Sequence, residues 1–216
     1  MAIWREGTSV GRAGDDPRSH AERLPLEAVA LLAEHGLTLP EIDTFVVVAG
    51  PGSFTGLRVG VAAVQGWAMA LGRSVASVPT LDALFRSMPT AVEQGTVLVP
   101  CVDGLRGEVF FSAWRDGVDL TGPQVGSATE LIATVVALAP AGRVVTSGDG
   151  AMKYADTWHG AGWEVVAPTM ALADAAARLV ADGGGTMGGP HAVRLNYVRR
   201  TDAEIVRERE RGGRRA

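Results

Sequence analysis

Thr44-Phe45-Val46-Val47-Val48-Ala49, then Gly50-Pro51-Gly52-Ser53-Phe54-Thr55-Gly56, then the run from Leu57 to Leu71 is the stretch that decides the fold class. The first six residues are a continuous β-branched and apolar run, the pattern of a strand covered on both faces. Gly and Pro end it, and a helix is expected over Leu57–Leu71, closed by Gly72. Arg58 and Gln65 are the only strongly polar residues in that helix, and the small residues Gly56, Gly60 and Ala63 allow another backbone to approach closely. Strand, glycine turn and helix N-terminus together offer backbone N–H groups to an anion. The spacing nevertheless fits neither standard phosphate loop. A Walker A loop places Lys after its last Gly, where Leu57 stands, and the dinucleotide fingerprint has its third Gly three places after the second, whereas Gly56 follows Gly52 by four. A tight turn that packs helix against strand explains the same residues.

Working outward, Ser19 and Glu22 have the spacing of a capping box. They open a helix that runs to about His35 and stops at Gly36, with Pro25 early enough to cost one bond or a slight bend. Leu24, Ala28, Leu31 and Leu32 form one apolar stripe of this helix; Leu26, Val29, Ala30 and Ala33 form a second. Two apolar faces need two things to lie against: the core, and a second surface such as another subunit. Downstream, a strand (Ser74–Val78) and a helix (Thr80–Met88) complete a first lobe of residues 1–88. The second lobe, 89–200, opens with two antiparallel strands, Thr96–Val102 and Glu108–Trp114, joined by a loop longer than a tight hairpin. Helices over Thr129–Leu138, Ala151–Trp158 and Ala171–Ala181 alternate with strands over Arg143–Ser147 and Trp163–Ala167. A glycine-rich link (Gly183–Gly185, Gly188-Gly189-Pro190) follows, and residues 201–216 read as a charged flexible tail. Strands alternating with helices make this an α/β chain.

The 216 residues carry 20 Lys+Arg against 24 Asp+Glu, a net charge of −4, with 47% hydrophobic residues. That balance excludes wholesale disorder and gives the chain as a whole no attraction for nucleic acid or an anionic membrane. A single cysteine, Cys101, excludes an internal disulfide framework and a Cys-based zinc site, as expected of a soluble, cytoplasmic protein. Val59–Leu71 is too short and too rich in Gly and Ala to span a bilayer.

Chemistry-bearing residues are scattered. His20 and His35 are fifteen apart, whereas two ligands on one helix face need i, i+4 spacing, and His159 and His191 stand alone, so no metal site is expected. Cys101 lies in an apolar strand with nothing nearby to lower its pKa, the setting of a structural thiol. The nucleophile-elbow pattern G-x-S-x-G is absent around Ser53, and Thr55 reads as a helix cap. Asp103 and Glu108 fit turn formation and a strand start better than an acid/base pair. Arg207–Ala216 contains five Arg and two Glu without an interleaved aromatic, the look of an exposed terminus.

The segment from Gly50 to Gly60 resembles the signature of the TsaB family, bacterial proteins needed for threonylcarbamoyladenosine modification of tRNA beside the anticodon. Other segments agree in order: Ser19-His20-Ala21-Glu22-Arg23-Leu24 resembles the start of the family's first helix. Asp103, Gly107, Glu108, Val109 and Phe110 resemble its D-x-R-x-x-E-V-[FY] segment with Arg106 one place late. Arg194–Arg200 loosely resembles a C-terminal Y-L-R segment. The resemblance spans about Met1 to Asp202. It implies an actin-like, sugar-kinase-like (ribonuclease H-like) fold of two α/β lobes, and a non-catalytic scaffold role in a glycoprotease-like superfamily. The implied partners are the homologous catalytic transferase subunit, TsaD, and a further ATPase subunit, with tRNA met indirectly. The family's interface is made by its first two helices, which places the contact here at Leu26, Val29 and Ala33 and at Gly60, Ala63, Val64 and Trp67. The chain has no cofactor of its own on this reading; ATP or ADP at the subunit interface would lie at Gly50, Gly52, Ser53, Thr55, Gly56 and Arg58. Family members usually begin with a strand and Asp-Thr-Ser before a second strand, which Met1–Gly7 resembles, so the first lobe is expected to lack an interior strand and leave ladder groups unpaired. The competing readings are a nucleotide-dependent transferase or glycoprotease-like enzyme in its own right, and a homodimer through the same helices.

Overall fold

The computed structural model describes residues 1–12, 20–90 and 92–198, with residues 20–22 by their backbone only. The Ser19–Glu22 capping box, the His20 side chain, Arg199, Arg200 and the tail 201–216 lie outside the described residues.

The chain opens with a hairpin, β1 (Ala2–Arg5) and β2 (Thr8–Gly11), turning at Glu6-Gly7 with both residues in the left-handed region, the geometry of a tight two-residue turn. Helix α1 (His20–Glu34) tolerates Pro25 in its interior and ends where Gly36, at φ 67°, lets Gly36 N–H and Leu37 N–H close on Ala33 and Leu32. Strand β3 (Thr44–Val48) leads through the glycine loop into α2 (Phe54–Leu71), and β4 (Ser74–Val78) returns parallel to β3 before α3 (Thr80–Arg86). The β-branched run of β3 is covered on both faces, as its sequence requires. Phe45 and Val47 pack with Val61, Val64 and Ala68 of α2, while Val46 and Val48 pack on the other side with Ala83 and Ala176.

The second lobe is a seven-stranded sheet: β5 (Val97–Leu105), β6 (Glu108–Phe111), β7 (Trp114–Arg115), β8 (Val118–Asp119) and β9 (Gln124–Ser127) precede helix α4 (Ala128–Leu138). Strand β10 (Val144–Ser147), the short helices α5 (Asp149–Lys153) and α6 (Ala155–Gly160), and β11 (Glu164–Val166) follow. The main order is β11-β10-β5-β6-β9, parallel at the β11 end and antiparallel at the other. Trp158, fully buried and stacked on Trp163 at 5.5 Å, anchors its core with Val97, Val99 and Val135. Two expectations change here. The helix over Ala151–Trp158 is broken into α5 and α6 at Tyr154. The β5–β6 connection is a tight two-residue turn at Arg106-Gly107, and the extra length is a bulge at Gly104-Leu105 that puts Leu105 at φ 61°.

The sequence reading ends the first lobe at residue 88, but elements beyond it in the chain also pack there. After β11 the chain returns: α7 (Leu172–Ala181) packs across β1, β2, β3 and α3, and β12 (Thr186–Gly188) adds to β4 antiparallel. Val193 is buried in the cluster of Phe45 and Val64. The first lobe thus consists of residues 1–88 and 172–198, and the glycine-rich link contains an edge strand. The physical reason is coverage: α2 hides only one face of β3 and β4, and Ala175, Ala176 and Leu172 of α7 are needed for the other. The hairpin β1–β2 and the sheet β12-β4-β3 both lie on α7, yet no described strand pairs with the outer edge of β3.

Candidate functional site

The glycine loop lies where the two lobes meet, on one wall of a cleft of about 660 Å³. Its backbone is tied to β4 and α3: Ala49 N–H donates to Val78 O, and Thr80 N–H to Gly50 O. Gly50 sits at φ 103°, and a Cβ there would come within 2.6 Å of the Asn196 carbonyl oxygen, so the position is closed to any side chain. Helix α2 begins three residues earlier than the sequence indicated. Ser53 is its cap, its hydroxyl accepting from Gly56 N–H at 3.3 Å, and the capping role expected of Thr55 falls to Ser53. Thr55 is exposed at the cleft, while Arg58 lies on the outer face of α2, its guanidinium 4.0 Å above the Phe54 ring.

The opposite wall is the β5–β6 turn with Asp149. Asp103 accepts from Leu105 N–H at 3.0 Å and pairs with Lys153 Nζ at 2.7 Å, a bond that raises the lysine pKa above its ordinary value. Asp149 accepts from the Asp103 and Gly150 N–H groups at 2.9 and 2.8 Å. Asp103 is thus a turn former with a cationic partner. Arg106 lines the cleft on the same wall as Asp103 and Asp149, and Lys153 offsets the Asp103 charge. Cys101 is wholly buried behind this wall; desolvation first, then the Asp149 and Asp103 charges, push its thiol pKa far above the usual range, which leaves it a poor nucleophile. His35, His159 and His191 are exposed on separate parts of the chain.

Of the residues expected at a partner interface, those on α1 are exposed. Leu26 is 64% exposed, Val29 53% exposed, and Ala33 is exposed, while Leu31 and Leu32 are buried. The two apolar stripes of this helix are real: one is covered and one is bare. On α2 the expectation is corrected. Val64 is 8% exposed and belongs to the core, Trp67 tilts against Phe45 at 5.9 Å, Gly60 lies over Val47, and Ala63 is half-buried. The outer face is instead Arg58, Ala62, Gly66, Met69 and Ala70, and nothing lies within 4 Å of where a Gly66 Cβ would point. The signal that could have found it is Arg58, a charged residue of this helix and therefore a marker of its outer face, from which steps of four give Ala62, Gly66 and Ala70. Because α1 packs on α2, the two bare faces belong to one helical layer.

Comparison with known proteins places this geometry. Residues 16–177 match the family model described as TsaD, tRNA N6-adenosine threonylcarbamoyltransferase. An uncharacterised protein of Mycobacterium leprae is 41% identical over 124 residues, 57% of this chain and 33% of the relative. The tRNA threonylcarbamoyladenosine biosynthesis protein TsaB of Escherichia coli is 28% identical over 132 residues, 61% of this chain and 56% of the relative. The matched region thus covers from a third to just over half the length of these relatives. YeaZ from Pseudomonas aeruginosa shares the fold, with a TM-score of 0.70 at 24% identity over 91% of this chain and 92% of that one. Among the described residues no helix is long and apolar enough to cross a membrane.

Proposed function

Since the chain belongs to the family of the TsaD domain model and is similar to the TsaB proteins of Escherichia coli and Haemophilus influenzae, we propose that it serves tRNA threonylcarbamoyladenosine biosynthesis as a non-catalytic scaffold that binds and orders the homologous catalytic subunit. The observation that carries the reading is the bare layer on α1 and α2. Leu26, Val29 and Met69 are each more than half exposed beside the small residues Ala33, Ala62, Gly66 and Ala70. Large apolar side chains beside small ones fit a helical partner that approaches closely, excluding water from the first and packing against the second. The deeply buried Cys101 and the Lys153-paired Asp103 support a scaffold over a nucleophile-bearing enzyme. A nucleotide, ATP or ADP, belongs to this reading at the joint between subunits. An ATPase subunit of the same assembly would join through the partnered form.

The test is co-purification with the catalytic subunit, read by size-exclusion with light scattering. A one-to-one complex is expected, with ADP heat of binding seen for the complex and not for this chain alone. A chain that stays monomeric or pairs only with itself at micromolar concentrations, while remaining folded, would sink the scaffold reading.

A further inference from the structure

After β12 the chain does not leave the molecule directly. Residues 193–198 run as an extended strap across the glycine loop, outside any helix or strand. Val193 and Leu195 point into the first-lobe core, Asn196 N–H donates to Ala49 O at 2.7 Å, and the Asn196 carbonyl rests on Gly50. The next residue, Tyr197, reaches the start of α2. Its ring lies 5.5 Å from that of Phe54, its hydroxyl accepts from Arg58 Nε at 3.2 Å, and Arg58 covers the Phe54 face. Phe54 and Tyr197 are still 42% and 43% exposed, so the last anchor of the strap is a surface contact held by one guanidinium. Asn196, Tyr197 and Val198 also line the cleft. Arg58 is at the same time the first residue of the outer line Arg58, Ala62, Gly66 and Ala70.

We propose that residues 193–198 form a latch that couples the bare face of α2 to the cleft. Arg58 holds Tyr197 over the glycine loop in the free chain, and a partner seated along Ala62, Gly66 and Ala70 takes Arg58 for itself, releasing Tyr197 and opening the Phe54 side of the cleft. The coupling rests on the docking reading above; the latch itself rests on the strap geometry. One side chain serves two surfaces, and a partner acceptor that draws the guanidinium off the Phe54 ring draws its Nε–H away from the Tyr197 hydroxyl with it.

Amide exchange at Asn196, read by NMR, tests both halves. In the free chain, Arg58→Met and Tyr197→Phe each speed Asn196 exchange about fivefold, the loss of one exposed hydrogen bond, with Val64 and Ala68 amides in α2 unchanged. Unchanged Asn196 exchange in both variants overturns the latch. On addition of the catalytic subunit, Asn196 exchange rises in the wild-type chain and stays at its already raised level in Arg58→Met. A complex in which Asn196 exchanges more slowly, or as before, overturns the coupling. If no complex forms, the docking reading and the coupling fail together, and the free-chain variants still decide whether Arg58 latches the strap.

Discussion

Gly66→Arg separates the fold of this chain from its docking surface, because the two respond with opposite sign. Gly66 lies in the interior of an 18-residue helix, in right-handed geometry, with its Cβ direction open to solvent. Replacing Gly by Arg at an exposed interior helix position removes most of the glycine penalty, a gain of about 0.7 kcal/mol. For a chain of this size that raises Tm by roughly 2 °C. On a helix-packing surface the same side chain does harm. It holds the partner's backbone away and buries a guanidinium without an opposing charge, at a cost of about 3 kcal/mol or more, which weakens association by over a hundredfold. Thermal unfolding by circular dichroism and titration calorimetry against the catalytic subunit read the two effects separately. Gly66→Ala is the control: about the same or a slightly larger gain in Tm, with only one methyl added to the interface. Wild-type affinity in Gly66→Arg would show that the outer face of α2 is not the docking surface. A Tm lowered by several degrees would show that Gly66 packs against something this fold does not contain.

Three other substitutions test separate parts of the structure. Val64→Ala should cost about 2 kcal/mol in urea unfolding, because Val64 fills the core between α2 and β3; a neutral result would return it to the surface. Gly148→Ala should destabilise by about 3 kcal/mol or more: φ is 115°, and an added Cβ would overlap the Cys101 carbonyl oxygen and the Leu84 side chain, so retention of wild-type Tm would refute that packing. Glu130→Gln tests the α4 cap through pH. The Ser127 N–H first, and then its hydroxyl, hold the Glu130 carboxyl below its ordinary value of 4.5. A lowered folded-state pKa gives stability present above the unfolded value and lost as pH falls through the folded one. The Tm difference between wild type and variant should therefore be full near pH 7 and shrink as pH falls through and below 4.5; a difference that persists undiminished in strong acid would refute the charge-based cap.

What the sequence determined by itself was local and periodic. The β-branched run at Thr44–Val48, the Gly72 cap, the strand Ser74–Val78 and the bare stripe of Leu26 and Val29 were all legible because each depends on residues within a turn or two of one another. The glycine segment Gly50–Gly60 also carried the family resemblance. Tertiary structure decided what depends on partners distant in the chain. α2 is apolar on nearly every side, so its hydrophobic pattern alone leaves its rotation about its axis open. The contacts of Phe45, Val47 and Val193 turned Val64 inward and left Gly66 outside. Ser53 became the cap because the loop is held at Val78 and Thr80, which starts the helix a turn early. The return of α7 and β12 to the first lobe left no local signal, since it is the uncovered face of β3 and β4 that requires them. The meeting of Arg58 with Tyr197 joins residues 139 positions apart, and only the path of the folded chain brings them together.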